Sequence, residues 1–294
     1  MGDFDEDSDT SSPDEQNPLL KFSLAGAQLK YSLAGSKKGL TIPASGEAGT
    51  VILKLPDERA GFSGVPEAEH GSLQLARASG IRVPDNWLVN VDSIAGLEKW
   101  AVTTNGQALA IDRFDRSPRG RVHMEEVAQI LLVPTAIENA KYMRANHETV
   151  ARITGALCTL EEVGEIIDRI TFNILLGNGD AHLKNWAFIY PDGRSAQLSP
   201  LYDVLPTVLY IAEDRMGMKL DDQRSFEAAS RASFNRLGER SGFGGSAAQE
   251  RALNAAAKVI ENWALLRDYL TAENYRVLTD RLSRLGIVND LRSI

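Results

Sequence analysis

Asp180, Asn185 and Asp203 are the side chains whose types and spacing could do chemistry in this chain. The first two lie in Leu176-Gly-Asn-Gly-Asp-Ala-His-Leu-Lys-Asn-Trp186, the third in Leu198-Ser-Pro-Leu-Tyr-Asp-Val-Leu-Pro206. A carboxylate on a tight loop can accept a proton from an attacking hydroxyl. An amide oxygen and a second carboxylate are hard ligands suited to Mg²⁺. Transfer of a phosphoryl group asks a protein for those groups and for a means of holding phosphates. Gly177 and Gly179 supply the backbone torsions that such a loop demands.

Asp180 and Asn185 stand five positions apart, the separation of Asp and Asn in the H-R-D-x-x-x-x-N loop of protein kinases. The plainer reading is a polar turn between helix and strand, with both residues as caps. His182, between them, reads first as a residue that orients the loop and second as a proton carrier. It joins Asp180 and Lys54 as a candidate catalytic residue.

Lys54 interrupts the apolar strand Val51-Ile-Leu-Lys-Leu-Pro56. Its ammonium suits ATP phosphates if a carboxylate holds it, and Glu69, heading the next helix, is the natural partner. The competing role is an edge-strand lysine that discourages aggregation. Phe22-Ser-Leu-Ala-Gly-Ala-Gln-Leu-Lys-Tyr31 is a candidate phosphate-facing loop, although it matches neither G-x-G-x-x-G nor the Walker pattern. Ile111-Asp-Arg-Phe-Asp-Arg116 would fit a connection between lobes lined by backbone groups for adenine, or a plain cluster of strand-end ion pairs.

The elements that must position these groups are legible in outline. Lys21–Leu33 is expected to pair with a second strand across Gly35–Gly39, and Thr50–Leu55 reads as a further strand. Glu69–Ser79 reads as a helix stopped by Gly80. Lys99–Thr104 and Gln107–Phe114, separated by Asn105-Gly106, carry a hairpin signal. From about residue 123 the period turns helical. Val163, Ile166, Ile167, Ile170 and Ile174 form one stripe, which Gly177 ends. Trp186–Tyr190 and Ser195–Leu198 read as a hairpin. Beyond 223 the chain is mostly helical, with a joint at 242–245 and Val259, Ile260, Trp263 and Leu266 as a buried face. The expected fold is α+β and bilobal: a disordered acidic tail (1–17), a β-rich lobe with the phosphate loop (18–116) and a helical lobe with the catalytic and metal-binding loops (117–294).

Composition narrows the class. The 294 residues are 43% hydrophobic, enough for a substantial core. The formal charge of −8 is concentrated in the first 17 residues, which hold seven acids and no Lys or Arg. The remainder is close to neutral, so a strongly basic nucleic-acid-binding body is excluded. The tail reads as a linker, or else as a segment phosphorylated around Ser11 and Ser12. Cys158 is the single cysteine, which rules out an intrachain disulfide, and four scattered histidines make no Cys/His metal cluster. The acidic start does not resemble a signal peptide. The apolar run from Gln129 to Ile137 is too short to span a bilayer. A cytoplasmic protein without membrane partners is the expectation.

Ser23-Leu-Ala-Gly-Ala-Gln-Leu-Lys30, Ile52-Leu-Lys-Leu-Pro56, Ala68-Glu69, Asp112-Arg-Phe-Asp-Arg116, Gly177–Asn185 and Leu198–Pro206 occur in that order over residues 20 to 210. Together they resemble the HipA-like serine/threonine kinases, toxins of bacterial toxin–antitoxin operons. That resemblance implies a protein-kinase-like fold using ATP and Mg²⁺. Asp180 would be the base, and Asn185 and Asp203 the metal ligands. Lys54 would contact phosphates and Glu69 would brace it. Ser23, Ala25, Gly26, Ala27, Gln28, Lys30, Asp112 and Phe114 would complete the nucleotide site. It also implies autophosphorylation at Ser23, with Ser32 second, which would place about two negative charges beside a phosphate site. The implied substrate is an aminoacyl-tRNA synthetase. The implied partner is a HipB-like DNA-binding antitoxin, through which alone operator DNA is reached.

The chain departs from full-length members in having only its acidic tail where they carry a small N-terminal subdomain. Either it is part of a longer protein, or it is a short form, HipT-like, whose missing subdomain is a separate small protein able to act as antitoxin. Asp203-Val-Leu also replaces the D-F-G of typical protein kinases. Two other readings stay open: a small-molecule kinase of the aminoglycoside or lipid type, and a nucleotide-binding scaffold in an antitoxin complex.

Overall fold

The computed structural model describes residues 30–41, 49–56, 62–94, 106–137, 139–212 and 214–293. The acidic tail, the loop from Ser23 to Gln28 and the segment Lys99–Thr104 lie outside the described residues.

An antiparallel sheet begins the fold. It contains β1 (Lys30–Ser36), β2 (Gly39–Thr41) and β3 (Val51–Lys54), followed by helix α1 (Val65–Ala78), β4 (Asn86–Asn90) and β5 (Gln107–Asp112). The strand order is β2-β1-β3-β5-β4. Alternation splits its side chains between two faces. Val51, Leu53, Ala108 and Ala110 join Leu33 and Leu40 on one face. Leu109 and Ile111 meet Leu73 of α1 on the other. Lys54 shares the α1 face, because it lies opposite Leu109 in the β3–β5 register.

Two expectations change here. The β1–β2 turn is tighter than Gly35–Gly39, since Gly35 and Ser36 already pair with Leu40 and Gly39. Strand β5 pairs with β3 on one edge and β4 on the other. Helix α1 starts four residues earlier than expected, because Gly64 in the left-handed region and Pro66 in the first turn set its beginning. Glu69 therefore sits one turn inside the helix.

Short strands β6 (Arg116–Ser117) and β7 (Gly120–Arg121) lead to β8 (His123–Glu126), so the chain is extended where a helical period was expected. Met124 and Glu126 are drawn into the ladder by pairing with Ile189 and Ala187, a tertiary partner that local period cannot announce. Helices α2 (Val127–Ile130), α3 (Ala140–Met143), α4 (His147–Leu157) and α5 (Leu160–Leu176) follow. Thr159 and Glu162 form a capping box at the start of α5, and Gly177, at φ 78°, ends it. All five residues of its expected stripe are essentially fully buried.

The hairpin β9 (Ala187–Tyr190) and β10 (Gln197–Leu198) then forms with β8 a three-stranded sheet. Helices α6 (Arg231–Ser241), α7 (Gly245–Glu261), α8 (Ala272–Leu282) and α9 (Gly286–Arg292) close the helical part. The expected joint falls between α6 and α7. Val259, Trp263 and Leu266 are buried, whereas Ile260 is only partly so. Among the described residues no helix is long and apolar enough to cross a membrane.

Candidate active site

Lys54, at the end of β3, is buried, and its Nζ reaches two carboxylates from separate elements. It contacts Glu69 Oε1 on α1 and lies 2.6 Å from Asp203 Oδ1. Lys30, which pairs with Lys54 across β1 and β3, places its own Nζ 3.4 Å from the same Asp203 oxygen. Burial by itself would lower the Lys54 pKa, but Asp203 and Glu69 outweigh it and hold the ammonium above its ordinary value. Burial likewise opposes ionisation of Asp203, and Lys54 and Lys30 reverse that, so its carboxyl sits well below the usual range. The edge-strand role for Lys54 is thereby excluded, because β3 lies between β1 and β5.

Asp203 is held at φ 57°, the left-handed region that a non-glycine residue seldom takes. That conformation costs about 1–2 kcal/mol, and the two lysines offset it by fixing the carboxylate. The preceding Tyr202 donates its hydroxyl to the Lys184 carbonyl at 2.7 Å and packs on Phe114, ring centres 5.4 Å apart. The second metal-type carboxylate is thus tied to the Asp180 loop on one side and to the end of β5 on the other.

The loop after α5 builds itself from short hydrogen bonds. Asn178 donates to the Asn173 side chain at 2.9 Å and accepts from the Asp180 amide at 3.1 Å. The His182 amide donates to the Asp180 carbonyl at 2.8 Å, and the Asn185 amide group donates to the same carbonyl at 2.9 Å. The five-residue spacing therefore closes a ring in which Asn185 spends its nitrogen on the loop. Thr207 accepts from the Gly179 amide at 2.6 Å and donates to Asp214. Arg281 donates to the Ile174 and Leu175 carbonyls, 2.8 Å each, at the α5 end where helix carbonyls lack partners.

Gly179 is required for a different reason than expected. Its backbone is not left-handed, but a Cβ there would come within 2.3 Å of the Asp214 carboxylate. Gly177 does take the positive φ.

His182 settles as a buried ring. It packs edge-on against Tyr142, and among the described residues neither ring nitrogen has a hydrogen-bond partner. Burial, aided by Lys141, lowers its pKa to about 3, so the imidazole is neutral. Its Nε2 lies 3.8 Å from Asp180 Oδ1, beyond hydrogen-bond distance, so the ring packs beside that carboxylate without being bonded to it.

Several residues escaped the sequence. Tyr142 on α3 donates its hydroxyl to Asp180 Oδ1. Thr207 and Asp214 brace Gly179. Glu126, pushed up by burial against the pull of Lys184, lies within reach of the Asp203 charge. No spacing signal marks Tyr142 or Asp214. Thr207 directly follows the Leu198–Pro206 motif and is the one that sequence inspection could have caught. Around Ile111–Arg116 the expected ion-pair cluster is present. Arg113 and Arg116 clasp Asp115 at 2.7 and 2.6 Å, while Phe114 turns to Tyr202. Asp112 ends β5, with its amide bonded to the Asp85 carbonyl and its carboxyl raised by burial and by Asp85.

Lysine, helix glutamate and left-handed aspartate, set opposite an Asp-x-x-x-x-Asn loop, match a known family. The HipA-like C-terminal domain model covers residues 22–263. The chain belongs to the HipA-like family. It is 42% identical over 234 residues to the Sinorhizobium fredii protein named "Putative kinase Y4dM", covering 76% of this chain and 56% of that one. It is 30% identical over 261 residues to "Putative kinase Y4mE" of the same organism, covering 83% and 58%. The chain thus spans a little over half the length of these relatives. In structure it is similar to Shewanella oneidensis HipA, solved with HipB and operator DNA, at TM-score 0.71 and 20% identity over 93% of this chain and 67% of that one. It is also similar to the Helicobacter pylori proinflammatory kinase CtkA, at TM-score 0.55 and 14% identity over 88% and 92%. The HipA-like chain therefore has a kinase-like fold.

Proposed function

We propose that this HipA-like chain is a Mg·ATP-dependent serine/threonine protein kinase. The carrying observation is the Lys54–Glu69–Asp203 contact, which joins a strand, a helix and the loop after β10. A buried lysine between two carboxylates is a poor stability device, because its desolvation cost is large. It suits a lysine that must lie ready for phosphates beside a metal-binding aspartate.

The donor set fits Mg²⁺. Asn185 Oδ1 and the ionised Asp203 are hard oxygens, and Mg²⁺ commonly takes only one or two protein oxygens beside water and phosphates. The ion, when bound, would neutralise charge developing on the transferred phosphoryl group. Lys54 would hold the phosphates and Glu69 would fix its direction. Phe114 and Asp112, beside Tyr202, would face the nucleotide, and the loop from Ser23 to Gln28 would cover the phosphates with Lys30 at its end. Asp180, aimed by its ring of hydrogen bonds, would accept the proton of the attacking hydroxyl.

As a biological role we infer a growth-arresting toxin that phosphorylates an aminoacyl-tRNA synthetase and modifies itself at Ser23. A HipB-like antitoxin would neutralise it and carry it to operator DNA. Support for the partner comes from the HipB-bound Shewanella HipA, to which this chain is similar in fold.

The test is intact-mass analysis of the chain and of Asp180→Ala, each before and after Mg·ATP. Phosphate added to the parent, absent from the variant and mapping to Ser23, is the expected result. Equal phosphate on both would overturn the base assignment. Transfer to aminoglycosides but to no synthetase would replace the protein-kinase reading by the small-molecule one.

A further inference from the structure

Behind the Asp180 loop lies a cavity of about 630 Å³, between residues 208–227 and helix α8. Four guanidinium groups line it, those of Arg215, Arg224, Arg281 and Arg284, against the carboxylates of Asp214 and Glu227. None of the four arginine side chains takes part in an ion pair among the described residues. Asp214 accepts from Thr207 and the Arg215 amide and Glu227 accepts from Ser225, and both carboxylates also favour the charge of Arg281.

The arginines stand in two like-charged couples. Arg224 is pulled down first by burial and then by Arg215. Arg281 is brought to about 10, chiefly by burial and, against Glu227, by Arg284. The inner member of each couple is fixed. Arg224 donates to the Tyr142 carbonyl at 2.7 Å and to Gly217, and Arg281 lies over Phe226 while capping α5. The outer members, Arg215 and Arg284, are exposed at the mouth. Four guanidinium groups against two carboxylates leave the lining with an excess of positive charge, and an anion at the mouth relieves the repulsion within each couple. The apolar wall of Val208, Ile211 and Val277 gives the site a side suited to the carbon body of a ligand.

We propose that this cavity binds a phosphate monoester, its dianionic oxygens taken by Arg215 and Arg284 at the mouth. The planar guanidinium fork matches phosphate oxygens in pairs, which a lysine surface would not do. The site is separate from the Lys54–Asp203 cleft and does not depend on phosphoryl transfer there. Two sources present the same chemistry: a small phosphorylated compound, and phosphoserine on a peptide.

The experiment is calorimetric titration of the full chain with inorganic phosphate, a phosphoserine pentapeptide and its unphosphorylated form, in chloride of matched ionic strength. The proteins compared are the parent, Arg215→Gln/Arg284→Gln and, as a cleft control, Asp203→Asn, each checked for folding by circular dichroism. The expected result is saturable binding of phosphate-bearing probes, at least about tenfold weaker in the double-arginine variant and unchanged in Asp203→Asn. Equal affinity for phosphate and phosphopeptide would assign the small compound, and a tighter phosphopeptide would assign the peptide. Absence of saturable binding to the parent, or a loss in Asp203→Asn alone, would overturn the site. Because Asp203→Asn would abolish the proposed kinase activity while sparing this binding, failure of one reading is distinguishable from failure of the other.

Discussion

Replacing Lys54 by methionine should destabilise the chain and silence it, and the two effects can be separated. The methionine fills similar volume but leaves Glu69, with a side chain 4% exposed, without its ammonium partner, while Asp203 keeps only Lys30. Breaking a buried pair by removing one partner costs about 3–5 kcal/mol. Asp203 retains 23% exposure, so water screens part of the repulsion and the lower figure, about 3 kcal/mol, is expected. A chain of this size has a urea m-value near the top of the usual range, about 3 kcal/mol/M, so the midpoint should fall by about 1 M. The second variant, Lys54→Met/Glu69→Gln, removes the stranded charge and should recover more than about 1 kcal/mol of the loss while remaining inactive. A midpoint shift below about 0.3 M, or a double variant no more stable than the single one, would refute the claim that these three side chains form one electrostatic unit.

Three further outcomes follow from the geometry. Gly179→Ala would drive a Cβ against the Asp214 carboxylate and the Arg215 carbonyl, 2.3 and 2.5 Å away, costing about 1–3 kcal/mol in denaturant titrations and most of the phosphate incorporation. Tyr142→Phe removes the hydroxyl that donates to Asp180. A hydrogen bond to a charged group contributes about 1.5–3 kcal/mol, so the Asp180 carboxylate loses stabilisation and the acidic limb of the pH–rate profile should move to higher pH. His147 is buried and held neutral, its pKa lowered to about 3 by burial and then by Arg224. Between that value and the unfolded one near 6.5 the unfolded chain binds the extra proton, so stability falls as pH falls, by about 1.4 kcal/mol per pH unit from this group. His147→Phe should flatten the acid side of a melting-temperature profile by that contribution, and an unchanged slope would show the ring to be solvated.

Local pattern was enough for much of the frame. The Val163–Ile174 stripe and its Gly177 stop are near-neighbour effects, and α5 formed where they placed it. The order Lys54, Glu69, Asp180, Asn185, Asp203 could likewise be read as one chemistry, because a phosphoryl-transfer site draws fixed residue types from fixed places along the chain. Within the Asp180 loop, the five-residue step from Asp180 to Asn185 is short enough for a side chain to close on the Asp180 carbonyl, so its geometry was implicit in its spacing.

Other features depended on partners distant in sequence. Residues 123–126 became a strand because β9 offered an edge, and β5 found its neighbours in β3 and β4. Tyr142, Thr207 and Asp214 entered the site through contacts 38, 28 and 7 residues away, which no local period encodes. The ionisation of Lys54 and Asp203 was decided in the same way. Residue type fixes what a side chain can ionise to, but burial and the charges packed around it decide which form is held, and only the folded chain brings Lys30, Lys54, Glu69 and Asp203 to one point.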